Sequence, residues 1–164
     1  EDLPVPTSVA VAPDGSIYVG FLSAFPFEQG GARIEQWSAD GELLNSFSGL
    51  TGVTDVVVAD DGTVYAVQLA DSFGDLGWTA SSGSVVTVGA DGTITPVAEG
   101  LNYPYGLAIS ADGAMAVTIN STFSPEGSGQ VVLVSGDMTT MPVDASGDAE
   151  TEAEAPAETP EASG

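Results

Sequence analysis

Residues 6–21, PTSVAVAPDGSIYVGF, place short runs of β-favouring residues on both sides of an Asp-Gly pair. Asp-Gly readily adopts the positive φ angles of tight hairpin turns, so the stretch predicts two antiparallel strands joined by such a turn. Similar stretches follow at 52–69, GVTDVVVADDGTVYAVQL, and at 103–120, YPYGLAISADGAMAVTIN. The chain therefore contains the same predicted hairpin three times.

The Asp-Gly pairs form two series along the chain. The first series is Asp14-Gly15, Asp61-Gly62 and Asp112-Gly113, with spacings of 47 and 51 residues. The second is Asp40-Gly41 and Asp91-Gly92, spaced by 51 residues, followed by Gly136-Asp137, in which the order of the two residues is reversed. We interpret Asp14, Asp40, Asp61, Asp91 and Asp112 as turn formers and not as catalytic groups.

Four short strands are predicted in each period. They cover 8–12, 17–22, 32–37 and 42–48, then 55–59, 64–69, 84–88 and 94–98, then 106–110, 114–119, 130–135 and 138–143. Four antiparallel strands repeated at this spacing are typical of a β-propeller blade. The expected fold is all-β, with three blades at about 5–48, 51–99 and 102–143.

Three blades make half of a six-bladed ring and would leave sheet edges open. The other blades are expected from a longer chain or from a second copy of this one. No positively charged leader opens the sequence. Glu1 is therefore expected to begin either a mature form or a piece of something longer.

Composition excludes several kinds of chemistry. The 164 residues include no cysteine and no histidine, so thiolate metal sites, disulfides and Ser-His-Asp catalysis are impossible. No apolar run is long enough to span a membrane. Any reaction would have to use carboxylates, amides, hydroxyls or Arg33.

The charge balance is strongly acidic, with 24 acids and one base. Such a field repels nucleic acid and anionic lipid, so neither is an expected partner. Two interpretations stay open: a surface adapted to high salt, or an acidic extracellular protein. Residues 144–164, DASGDAETEAEAPAETPEASG, are predicted to be a disordered tail, either a solubilising end or a spacer to a surface anchor.

The first period resembles an NHL-type repeat in its opening PTSVAVAPDGSIYVGF and its close ARIEQWSADGELLNSF. More narrowly, LPVPTSVAVAPDGSIYVGFLSAFPFEQGGARI, DVVVADDGTVYAV and YPYGLAISADGAMAVTIN resemble the ScyD/ScyE family of bacterial β-propellers, over about residues 3–134. The FPF…GGAR segment at 25–33 is the most specific part. The resemblance implies the C-terminal half of a longer exported propeller, extracellular or periplasmic, and it implies no reaction.

More distant six-bladed relatives are strictosidine-synthase-like proteins and gluconolactonase-type lactonases. The lactonases hold a divalent metal on the central axis through Glu, Asn and Asp. A common ligand there is the Asn of a Pro-Asn-Gly, and here the corresponding stretch is Pro104-Tyr105-Gly106. Only Asn120 fits a family-like polar position.

One face of the predicted propeller carries all the long loops, 22–31, 70–83 and 120–129. Function is expected there, because binding residues tend to lie on elaborated loops. Its aromatic and acidic side chains suit a sugar, a cationic or aromatic small molecule, a protein partner or Ca²⁺. The candidates are Phe25, Phe27, Glu28, Asp71, Phe73, Asp75, Trp78, Asn102, Tyr103, Tyr105, Asn120 and Glu126.

Several candidates also have a structural interpretation. Phe25-Pro26-Phe27 could anchor its loop on the next blade, Trp78 could cap loop packing, and Asn120 could close a turn. No cofactor is predicted apart from Ca²⁺, for which Asp71 and Asn120 are the candidate ligands.

Arg33 is expected either to pair with a carboxylate or to bind an anionic ligand.

Three functions compete at this stage. The first is an exported, non-catalytic module that binds a small molecule or protein on the loop face. The second is a divalent-metal hydrolase of lactonase type, with Glu28, Asn102, Asn120 or Asp71 around one ion. The third is a rigid spacer of the cell envelope, held by the acidic tail.

Overall fold

The computed structural model describes residues 4–134 and the backbone of residues 141–143. Its strands form three four-stranded antiparallel sheets, which we call blades 1, 2 and 3. Blade 1 is β1 (Pro6–Val11), β2 (Ile17–Phe21), β3 (Ala32–Trp37) and β4 (Leu43–Leu50). Blade 2 is β5 (Val53–Val58), β6 (Val64–Gln68), β9 (Gly83–Val88) and β10 (Ile94–Leu101). Blade 3 is β11 (Leu107–Ile109), β12 (Met115–Ile119), β13 (Gln130–Val134) and β14 (Met141–Val143).

Every blade is a simple meander in which consecutive strands of the sheet pair with each other. The predicted all-β fold and its four-stranded repeats are thus confirmed, with strand ends that differ by at most three residues. The described residues contain no helix, and so none that is long and apolar enough to cross a membrane.

A short hairpin, β7 (Phe73–Gly74) and β8 (Gly77–Trp78), is an addition that the sequence did not predict. It lies within the long loop between β6 and β9. Three predictions fall wholly or partly outside the described residues: the turn at Gly136-Asp137, the first part of the strand at 138–143 and the acidic tail at 144–164.

The Asp-Gly turns join strands as their sequence predicts. Gly15, Gly62 and Gly113 all have φ near +85°, which glycine adopts without steric cost. In the first turn, Asp14 accepts hydrogen bonds from the side chain and the backbone N–H of Ser16, and these bonds lower the pKa of its carboxyl group. The aspartate therefore stays ionised and holds the turn.

The blades pack face to face through two apolar clusters. Ile34 and Phe47 of blade 1 join Val53, Val56 and Val88 of blade 2 in the first cluster. The second lies between blades 2 and 3, and its buried members are Val67, Val85, Ala98, Leu101, Leu107, Val117, Val132 and Val134. Blade 2 therefore packs on a neighbouring blade through both faces, whereas the described residues of blades 1 and 3 each pack on another blade through one face.

Candidate functional site

The long loops at the ends of β2, β6 and β12 meet on one side of the three blades. Phe27 of the first loop contacts Phe73 and Trp78 of the second, with ring centroids 5.0 and 5.1 Å apart. Asn102, before blade 3, donates to Asn120 of the third loop at 2.8 Å. The loop face expected from the sequence is thus a continuous surface built from all three blades.

Four aromatic side chains form one cluster on this face: Phe25, Phe27, Phe73 and Trp78. Phe73 stands edge-on to Trp78 at 5.2 Å, and Phe25 stands edge-on to Phe73 at 6.2 Å. Such T-shaped pairs are favourable beyond the apolar area they bury. Phe25 is 76% exposed whereas Trp78 is 8% exposed, so the cluster runs from the interior to the surface.

The β7–β8 hairpin positions Trp78. Its backbone carbonyl accepts a hydrogen bond from the Tyr103 hydroxyl at 2.9 Å, which ties the hairpin to the chain entering blade 3. On its other side the indole lies against Gly52, where a Cβ atom would come within 3.1 Å of the ring. Trp78 therefore caps the packing of the loops, and its exposed neighbours form the surface.

An open groove of about 690 Å³ lies beside the hairpin. Phe73, Trp78 and Tyr103 supply its aromatic wall, and Leu76 at the hairpin tip is fully exposed. Asp75 is the carboxylate among the lining residues. The groove thus combines an apolar wall with one negative charge, a combination that suits an amphipathic ligand with a positive group.

Asn102 and Asn120 hold loops together through their side-chain amides. The Asn102 oxygen accepts from the Ser81 N–H at 2.9 Å, and its nitrogen donates to the Asn120 oxygen. The Asn120 nitrogen donates to the Ser128 carbonyl at 2.8 Å. The amide oxygens that a metal would need are already used as acceptors of these bonds.

The other candidates lie apart from this groove. Glu28, Tyr105 and Glu126 are exposed and are not among its lining residues. Asp71 is exposed and accepts a hydrogen bond from the Ser72 hydroxyl at 2.7 Å, facing a second, more polar groove. Within residues 4–134, no three acidic side chains come together as a possible metal site. Ca²⁺ binding by Asp71 or Asn120 stays a prediction.

Arg33 pairs with a carboxylate, the first of its two expected roles. Its Nε donates to Glu35 at 2.7 Å, and its guanidinium lies over the Phe21 ring at 4.3 Å. The Trp37 indole N–H donates to the other oxygen of Glu35 at 3.2 Å. These side chains share one face of blade 1, away from the loop-face groove.

Asp55, which the sequence interpretation missed, joins the innermost strands of the three blades. One carboxylate oxygen accepts a hydrogen bond from the Ser8 hydroxyl of blade 1, and the other accepts from the Leu107 N–H of blade 3 at 2.8 Å. The repeat alignment contained a signal, because Asp55 stands where blade 1 has Ser8, in a strand otherwise rich in valine.

Comparison with solved structures finds propeller proteins that cover most of this chain. A protein proposed to be a gluconolactonase is 16% identical, with a TM-score of 0.56 over 85% of this chain and 48% of its own. A protein of unknown function from Bacteroides caccae is 15% identical, with a TM-score of 0.55 over 85% and 46%. A catalytically inactive virginiamycin B lyase from Staphylococcus aureus, solved with quinupristin, is 14% identical, with a TM-score of 0.56 over 88% and 44%.

At these identities the likeness shows the fold alone, and the chain is a β-propeller protein. It spans less than half the length of each of these three structures. No protein-family model matches the chain, and no curated protein does.

Proposed function

We propose that this chain is an exported, non-catalytic binding module of the ScyD/ScyE type, acting in the extracellular or periplasmic space. The observation that carries the proposal is the groove beside the β7–β8 hairpin, where Asp75 and Leu76 are exposed along a packed aromatic wall. The exposed Phe25 stands edge-on to Phe73 of this wall. Exposed apolar side chains grouped in this way are typical of interaction sites.

The ligand class follows from the chemistry of the groove and from the charge of the chain. Phe73 offers an aromatic ring, Leu76 offers apolar contact, and Asp75 offers a negative charge. The net charge of −23 raises the local concentration of cations and repels anions. We therefore infer a small aromatic or aliphatic cation as the ligand, in preference to a sugar or a protein.

The metal-dependent hydrolase has less support. Its support is the likeness to a protein proposed to be a gluconolactonase, and at 16% identity that likeness shows the fold alone. The envelope-spacer hypothesis depends on the tail at 144–164, which lies outside the described residues. Neither has an observation comparable to the aromatic groove, so binding is the function we propose.

Calorimetric titration with phenethylammonium tests the proposal, with the neutral 2-phenylethanol and the sugar cellobiose as comparison ligands. We expect the cation to bind more tightly than both. Phe73→Ala, which removes a ring of the groove wall, should weaken binding by about fivefold, because a cation–π contact contributes about 1 kcal/mol at an exposed site. Leu44→Ala, an exposed residue of β4 remote from the groove, is the matched control and should leave binding unchanged.

Two results would contradict the proposal. One is equal or absent binding of the cation and its neutral analogue. The other is a Phe73→Ala variant that binds like the parent chain.

A further inference from the structure

Blade 1 presents an apolar face on which no described residue of blades 2 and 3 packs. The face lies opposite the one that packs on blade 2, and we call it the blade 1 free face. Cross-strand pairs Val9–Val19, Val11–Ile17 and Ile17–Trp37 place these side chains together on it. Val9 is 66% exposed and Val11 is 68% exposed. Such adjacent exposed valines are unusual in a strand of a well-packed sheet.

The equivalent positions in the other two blades are buried by the preceding blade. Val9 corresponds to Val56 and Leu107, at the same spacings of 47 and 51 residues as the Asp-Gly turns. Val56 is only 2% exposed, because it packs on blade 1, and Leu107 is buried against blade 2. The blade 1 free face thus has the composition of a surface that receives another blade.

The charge of this face also differs from the rest of the chain. Arg33, the one base among 24 acids, lies here and pairs with Glu35, so the two charges cancel. Glu35 occupies the position of Val86 and Val132, which are buried in the other blades. A neutral apolar face can approach another surface of this acidic protein without adding to the repulsion.

Blade 3 presents the second free face, on the side away from blade 2. Its described side chains are small or moderately apolar, and Leu133 is exposed; these side chains are Ala108, Ala116, Thr118, Val131 and Leu133. By the repeat spacing, Ala116 is equivalent to Tyr18 of blade 1 and Tyr65 of blade 2. Each of these tyrosines packs against the blade that follows its own. Blade 3 therefore lacks a large side chain at this position.

A large side chain on the blade 1 free face compensates for the small side chain at Ala116 on the free face of blade 3. Tyr18 shares the first core cluster with Val64 and Val88, so the large residue meets a valine there. On the blade 1 free face, Trp37 replaces the valine, as its pairing with Ile17 shows. A tryptophan opposite an alanine would keep the volume of the junction similar to that of a tyrosine opposite a valine.

We propose that the free face of blade 3 packs on the free face of blade 1 of a second copy of this chain. Blade 2 lies between blades 1 and 3 and packs on both, so the two free faces of one copy cannot meet. Two copies related by a twofold axis form two identical junctions and close a ring of six blades. Two copies also have about the length of one of the solved propellers.

The new junction lacks one contact that both internal junctions have. The Val56 N–H donates to Ser8 Oγ at 3.2 Å, and the Leu107 N–H donates to Asp55 at 2.8 Å. Gly106 occupies the third equivalent position and offers no side chain to Val9 of the second copy. A Cβ atom at Gly106 would meet only Thr118 Oγ1, at an ordinary 3.5 Å, so a serine fits there.

Sedimentation equilibrium of the full chain at about 0.1 and about 1 M NaCl tests the proposal, since salt screens the repulsion between copies. We expect twice the chain mass of 16.4 kDa, with tighter association at high salt. Val9→Asp and Leu133→Asp, on opposite faces, should each give monomers. Leu76→Asp adds the same charge at the exposed hairpin tip and should stay dimeric. Gly106→Ser should tighten association several-fold.

Circular dichroism checks that each variant is folded. If Val9→Asp unfolds, the oligomeric state of a folded Leu133→Asp variant tests the proposal. A monomer at about 100 μM protein and 1 M salt would overturn the proposal, as would a dimer that both aspartate variants leave intact. The proposed ligand groove is on the loop face, so failure of phenethylammonium binding would leave this result unaffected.

Discussion

At the scale of single residues, Asp55 shows how a charged side chain can organise a β-propeller interior. It is half-buried, and its two oxygens accept from Ser8, Val56 and Leu107. Two of these donors are backbone N–H groups at the axis side of blades 2 and 3. Charge-assisted hydrogen bonds of this kind are stronger than neutral ones.

Replacing Asp55 by alanine should lower the free energy of unfolding by about 1–3 kcal/mol, because the Ser8 hydroxyl and the Leu107 N–H lose their acceptor and the Val56 N–H keeps only Ser8 Oγ. Urea denaturation followed by circular dichroism measures the change. Asp60→Ala is the matched control, an exposed aspartate close by on the turn after β5, and should change stability by less than about 0.5 kcal/mol. Equal stability of the two variants would refute the assigned role of Asp55.

At the scale of elements, glycines set how closely blades 2 and 3 approach. Gly83 begins β9, and a Cβ atom there would lie 2.3 Å from Pro104 Cδ and 2.8 Å from the Leu69 carbonyl oxygen. One of these neighbours is a rigid ring and the other is backbone, so neither can move aside cheaply. The same segment, through Tyr103, holds the hairpin that carries Trp78.

Gly83→Ala should therefore destabilise the protein by about 1–3 kcal/mol through overpacking. It should also shift the emission of Trp78, because Pro104 and Tyr103 are displaced together. Thermal unfolding and tryptophan fluorescence measure the two effects. Gly74→Ala, in the β7–β8 hairpin, has no atom within 4 Å of the added Cβ and should be nearly neutral. A neutral Gly83→Ala would show that the two blades are not packed this closely.

At the scale of the whole molecule, the charge opposes compactness. A net charge of −23 on 164 residues creates self-repulsion that the apolar clusters between blades must overcome. The one base is already paired with Glu35, so it does little to reduce this repulsion. Stability should then depend on salt more than it does for a neutral propeller.

We expect the urea midpoint of dilute protein to rise between about 0.1 and 1 M NaCl, over which the screening length falls from about 10 to about 3 Å. A variant with Asp60→Asn, Glu99→Gln and Glu126→Gln, three exposed positions, should show a smaller rise. A midpoint that does not change with salt would mean that repulsion is not a major term in the stability of this fold.

The sequence predicted the repeating architecture well because its determinants are local. The Asp-Gly pairs specify hairpin turns from two adjacent residues, and the β3 prediction at 32–37 coincides with the observed strand. The β7–β8 hairpin was not predicted because its turn contains no Asn-Gly or Asp-Gly and its strands are only two residues long. Phe27, Phe73 and Trp78 were candidates individually, but only the packing of two loops shows that they form one cluster.

The sequence by itself determined the all-β class, the blade repeat and the acidic field, since turn propensity, apolar spacing and charge are properties of the chain as written. Only the tertiary structure decided which polar residues act together. Asp55 meets Ser8 and Leu107, and Arg33 meets Glu35 and Phe21, because stacking and pairing of strands set those distances. The physical reason is that hairpins form from local preferences, whereas a site requires side chains from separate blades or strands to converge.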